Sequence, residues 1–323
     1  MMHALTLAAW LASMAAGPAL PAIAATSTTG TNTTDTAGST TVENAPGTAG
    51  STAVANTTER AAGAKRPRVY VLAIGNNASP IDEPSLAPLQ YADDDAVRFY
   101  ERFEGFAATR YLLTVFDPQT ERRLAQISAP SGARVSPPTV RNLSNAIDAL
   151  QHKLQADRTQ NIESVVYIYY SGHGSTGQDG EPYLALIDGT ITQDQLFNGM
   201  IDRLDADRIH VLIDACNAGA VVGLRGPFDE ATEARRSPQP LVQLAGRAKL
   251  DRRPHVGIIV AATAGQAAHE WSRLESGIFT HQVLSALAGG GDVNADGRVE
   301  YSELHAFVGA ANSGLPPHAQ ARV

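Results

Sequence analysis

The sequence predicts an α/β domain with a mostly parallel central sheet and helices on both faces. Three observations carry that prediction. From Arg66 onward, short β-branched and apolar runs alternate with amphipathic stretches. Two of those runs are apolar almost without interruption, as strands covered on both faces are. Glycines stand where the same runs end, as sharp turns require.

The elements follow in order. "RVYVLAIGNN" is the first strand, and "YADDDAVRFYERFEG" the first helix, with Ala92, Ala96, Phe99, Tyr100 and Phe103 on one face and Gly105 as its stop. "TRYLLTVFDP" is the next strand, ended by Pro118, and a loop with paired Pro137 and Pro138 follows it. "TVRNLSNAIDALQHKLQ" repeats apolar residues at Val140, Leu143, Ile147, Leu150 and Leu154, which is helical spacing. "ESVVYIYYSGHG" and "RIHVLIDACNAG" are the two buried strands. The crossover helix "TQDQLFNGMIDRLDA" lies between them, with Thr192 as its N-cap. A polar interval, 223–254, precedes a fifth strand, "HVGIIVAATAG", and a helix, "GIFTHQVLSALAGG", stopped by glycines. No internal repeat is visible.

Ahead of this domain, 67–314, lie two segments of different character. Residues 1–24 form an apolar run ending in Ala-x-Ala, the layout of a signal peptide, although only His3 precedes the apolar core; a buried core helix is the alternative. Residues 25–66 follow as a Thr/Ala/Ser/Gly-rich tether, with thirteen Thr between 25 and 64 and no aromatic residue there, too little apolar surface to offset the entropy of folding. Export to the periplasm or the extracellular space is therefore expected. No other segment resembles a membrane span. The chain has 33 acidic against 25 basic residues, net charge -8, and no basic patch that would suggest a nucleic-acid partner.

Cys216 is the single cysteine, so no disulfide forms within the chain. On count alone a buried inert thiol is expected. Its position argues otherwise. Sites in open α/β sheets form beyond the carboxyl ends of the strands, where "SGHG" and "DACNAG" both lie. A right-handed crossover makes neighbours of two such strands, which sets His173 beside Cys216. An imidazole can take the proton of a thiol and later protonate a leaving group.

The pair "SGHG" and "DAC-x-x-G", with "AIGNN", "LQYADDDA" and "GIFTHQVLSAL" in order, resembles the caspase-like clan of cysteine peptidases, and most closely its bacterial metacaspase-type members. The resemblance spans about Arg68 to Gly309. It implies a caspase-like three-layer sandwich, a catalytic dyad of His173 and Cys216, an oxyanion hole from the backbone of Gly174 and Cys216, and hydrolysis of protein or peptide substrates through an acyl-enzyme. Asn217 and Ala218 stand where such enzymes commonly have His and Ser. The resemblance also implies cleavage after Arg or Lys, with Asp214 and Asp95 forming an acidic pocket and Glu270 as a further acidic candidate. Against this, Asp214 could bond local N–H groups and Asp95 could be a solvated helix residue. The interval 223–254, rich in Arg, falls where caspase-like enzymes carry an inter-subunit linker, so self-cleavage there is expected beside the alternative of a plain surface loop.

"DVNADGRVEYSE", 292–303, fits the EF-hand loop, with Asp292, Asn294 and Asp296 at positions one, three and five, Gly297 at six, Arg298 offering its carbonyl, and Glu303 at twelve. Calcium is the cofactor this predicts. Two rivals to a peptidase remain: a binding or regulatory module on the same fold without turnover, and a phosphate or nucleotide binder. The second lacks any G-x-x-x-x-G-K spacing.

Overall fold

In a computed structural model, the described residues are 6–7, 66–126 except 85, 134–222 except 217, 249–261, 270–313 and 315. The expected signal peptide and tether therefore lie almost wholly outside them, as do Asn217 and the 223–248 part of the linker-type interval.

The frame is a six-stranded sheet in the order β10-β9-β5-β2-β3-β4, formed by β2 (Arg68–Asn76), β3 (Thr109–Leu113), β4 (Arg134–Ser136), β5 (Ser164–Gly172), β9 (Arg208–Asp214) and β10 (Val256–Val260). All five pairings are parallel. β1 (Thr6–Leu7) pairs antiparallel with β13 (Val299–Glu300). The chain lays down β2, β3 and β4 toward one edge, then returns to put β5 on the other side of β2. That reversal is the topological switch point, where the ends of neighbouring strands open a crevice.

Alternation along each strand divides the core in two. Tyr70, Leu72 and Ile74 of β2 face α3 (Val140–Thr159), α4 (Ala218–Val222) and the helical turns Gln195–Met200 and Ile201–Arg203. Val71 and Ala73 face α1 (Ala92–Arg102), α5 (Ile278–Ser285) and α6 (Tyr301–Asn312). The three-layer α/β expectation holds.

Local chemistry explains the boundaries. Thr139 caps α3 by accepting the Asn142 N–H, and Thr192 caps the crossover as expected, its hydroxyl accepting the Gln195 N–H while the Gln195 side chain accepts the Thr192 N–H. The crossover itself is not a regular α-helix; it is made of those two short turns. Two elements differ from expectation. α2 (Pro118–Gln126) follows the strand that Pro118 was expected only to end. Asp117 caps it, accepting from Gln119 and Thr120 N–H, and proline suits a first helical position. β4 occupies part of the expected loop. Val140 is also exposed, not part of the buried helical face.

Past β5 the chain forms a small antiparallel sheet, β6 (Gly174–Thr176), β7 (Pro182–Ala185) and β8 (Thr190–Thr192). On the edge beside β10, Arg253 grips the Asp202 carboxylate with two nitrogens and lies 5.1 Å over the Phe197 ring. Among the described residues, no helix is long and apolar enough to cross a membrane.

Candidate active site

β5 and β9 are hydrogen-bonded neighbours with Ser171 opposite Asp214, so His173 and Cys216 leave the sheet from adjacent strand ends. Gly174 fixes how closely. A Cβ there would overlap the Cys216 carbonyl oxygen and crowd the Ala215 side chain, so only glycine lets the two backbones meet. The His173 carbonyl accepts the Ala185 N–H at 2.9 Å and faces the Tyr170 hydroxyl, also at 2.9 Å. The strand end is thus held from two sides.

Cys216 is half-buried and His173 is buried. Among the described residues, the His173 Nε2 has no hydrogen-bond partner of normal geometry. Burial pushes the imidazole below its ordinary range, while the Ala87 backbone and the Glu83 carboxylate pull the other way. A neutral ring at neutral pH can accept a proton. Ala218, one of the two departures from the family pattern, is fully buried and packs into the core.

Asp95 and Asp214 come together although they lie far apart in sequence. The backbone at Gly277 passes between them: a Cβ on it would overlap Asp214 Oδ2 and lie 3.0 Å from Asp95 Oδ2. Both are buried, so Asp95 is not a solvated helix residue. One segment satisfies both. The Ser276 hydroxyl and the Gly277 N–H (2.9 Å) donate to Asp95; the Thr280 N–H (3.2 Å) and hydroxyl (2.6 Å) donate to Asp214 Oδ2. Since the Thr280 proton goes to Asp214, the Tyr169 hydroxyl must donate to Thr280 Oγ1. Arg98 stands 3.9 Å from Asp95. Burial raises both carboxyls above the usual range, and for Asp95 the nearby Asp214 adds to it. Among the described residues, the hydrogen bonds to Asp214 fall on Oδ2, leaving Oδ1 for another partner.

Glu270 is tied to the start of α1. It lies on β11 (Glu270–Trp271), which pairs with β12 (Ser276–Gly277), and its carboxylate accepts the backbone N–H of Gln90 (3.1 Å) and Tyr91 (2.8 Å) at the start of α1. It therefore braces the helix that carries Asp95. Its charge still acts on Asp214.

Hydrogen bonds within the 292–303 loop shape its turns. Asp292 Oδ2 accepts the Gly297 N–H and Asn294 Oδ1 the Asp296 N–H, both at 2.9 Å, and Gly297 has φ 78°. Glu303 reaches back to the N–H groups of Val293 (3.2 Å) and Glu300 (2.9 Å). Its donors are all oxygen, the set that suits a hard cation. Among the described residues, no group of three or more His, Cys, Asp or Glu converges where it could hold a metal.

Sequence reasoning missed Ser276, Gly277 and Thr280 as holders of the acid pair, and Ala87 and Glu83 as neighbours of His173. The first three sit at the start of an expected helix, where spare N–H groups were the available signal.

The caspase-domain family model matches residues 68–311. Among solved structures, the chain is similar to a protein from Geobacter sulfurreducens, with 18% identity, 78% of this chain and 90% of that one covered, and TM-score 0.45. It is also similar to caspase-1 from Spodoptera frugiperda, with 12% identity, 79% and 85% covered, and TM-score 0.43. No curated protein matches the chain.

Proposed function

We propose, from the premise that the chain belongs to the caspase-domain family, that it is a cysteine endopeptidase of metacaspase type acting through Cys216 and His173. The observation that carries this reading is the contact of Gly174 with the Cys216 carbonyl at adjoining strand ends. The imidazole takes the thiol proton and the sulfur attacks the peptide carbonyl carbon. Backbone N–H groups of Gly174 and Cys216 receive the oxyanion. The imidazolium then gives its proton to the departing amine, leaving a thioester that water hydrolyses.

Specificity for Arg or Lys rests on the acid pair. A buried carboxylate pair without a bridging cation is costly, and a guanidinium reaching Asp214 Oδ1 would relieve it. Calcium would be held by Asp292, Asn294, Asp296 and Glu303 with the Arg298 carbonyl, supplying charge that draws the loop together. Residues 1–24 act as the export signal in this reading, and the chain cuts itself between 223 and 254; intact mass of wild type beside Cys216→Ala tests the latter.

The deciding experiment is hydrolysis of fluorogenic peptides ending in Arg, Lys or Asp. We expect turnover of the Arg and Lys peptides, and a loss of about a thousandfold or more in kcat for Cys216→Ala and His173→Ala. Binding of such peptides with unchanged affinity and no turnover by the wild type would favour the non-proteolytic module instead.

A further inference from the structure

The loop that leaves β2 at Asn77 and enters α1 at Tyr91 folds back on itself. The Leu89 N–H donates to the Asn77 carbonyl at 2.9 Å, Glu83 N–H to Pro80 at 3.1 Å, and Leu86 N–H to Glu83 at 3.0 Å. Its base is fixed to the helix: the Asn77 side chain accepts the Ala92 N–H (2.8 Å) and donates to Asp93 (2.7 Å). Its outer part is fastened to the small sheet by a hydrogen bond from Ser175 Oγ to Glu83 Oε1 at 2.9 Å. Ser175 follows Gly174, the residue in contact with Cys216, and pairs across β6–β7 with Tyr183, whose hydroxyl is buried beside it. The same loop brings the Ala87 backbone to the His173 ring.

We propose that Glu83 is a positioning residue of the dyad: by accepting the Ser175 hydroxyl it fastens the 77–91 loop beside His173 and stations a carboxylate near the imidazole. This rests on the assignment of His173 and Cys216 above. Among the described residues, Glu83 acts on His173 itself, Asp82 and Glu83 act on Tyr183 of β7, and Tyr183 and Cys216 act on Tyr170 of β5, whose hydroxyl donates to the His173 carbonyl. The Glu83 carboxylate favours the protonated ring.

Because Cys216 is the single cysteine, the pH dependence of its alkylation by iodoacetamide reads the thiol and imidazole directly, without a peptide substrate. The limb that vanishes in His173→Ala belongs to the imidazole. Glu83→Gln keeps an acceptor for Ser175 and removes the charge, so that limb moves to lower pH by about half a unit with the plateau rate within twofold. Glu83→Ala and Ser175→Ala each break the fastening, and kcat for Arg peptides falls about tenfold with KM within threefold. The double variant is then no worse than either single one. A Glu83→Gln profile that superimposes on wild type, or losses that multiply in the double variant, would overturn the proposal. Should the wild type cleave no peptide while the alkylation limb still shifts in Glu83→Gln, the peptidase reading falls and the role of Glu83 stands.

Discussion

Two groups of carboxylates in this molecule are built in opposite ways. Asp292, Asp296 and Glu303 lie within twelve residues and accept N–H groups from their own loop, Asp296 exposed and the other two half-buried. Asp95 and Asp214 come from α1 and the end of β9, are buried, and take their donors from a third segment, 276–280. The first group could form in a short peptide; the second exists only when the sheet is assembled. A buried pair is costly to keep and carries strong electrostatic leverage, whereas an exposed loop carries little until a cation arrives.

That contrast can be broken outright by substitution. Asp214→Asn is expected to lower kcat/KM for Arg peptides by about a hundredfold or more, while Asp292→Asn, assayed with a chelator, stays within about twofold. Equal losses would erase the difference between the two groups.

A second, smaller effect sharpens it through pH. Burial raises the Asp95 and Asp214 carboxyls above 3.8, so the folded chain keeps protons that the unfolded chain has already released. Stability contributed by these groups is therefore present at low pH and is lost as pH rises from the ordinary carboxylate range through the raised one. Binding of a guanidinium needs the ionised pair, so KM for Arg peptides should fall over the same interval. Thermal melts and KM values from about pH 4 to pH 8 check both trends, and Asp214→Asn should flatten them.

The smallest effect belongs to the loop. If calcium binds with a dissociation constant of about 1 mM, a concentration of about 10 mM adds roughly 1.4 kcal/mol. That corresponds to a rise of about 3–6 °C in Tm, and Glu303→Gln should remove it. No change in Tm in wild type would leave the loop a turn.

The sequence revealed what repeats locally or ends a strand. Long apolar runs marked β5 and β9, and the glycines around His173 and after Cys216 marked the adjacent strand ends that carry the two residues. What escaped depended on partners elsewhere. Pro118 reads equally as a strand stop and a helix start until Asp117 is seen capping α2. Val140 fits the apolar period of α3 yet stands at its exposed first turn. Glu270 is a pocket candidate through the resemblance alone; only the fold shows its carboxylate accepting the N–H groups of Gln90 and Tyr91. Ser276 and Thr280 have no signature of their own, since their importance comes from carboxylates delivered by other strands.

The edge of the sheet has one more implication. β10 lies in register against β9 through Val256–Val260, and Arg253 holds Asp202 across the crossover turns. A nick in the backbone anywhere from 223 to 248 would therefore release nothing. The two fragments would travel together through gel filtration and come apart in denaturant, so a singly cut molecule would elute as an intact one.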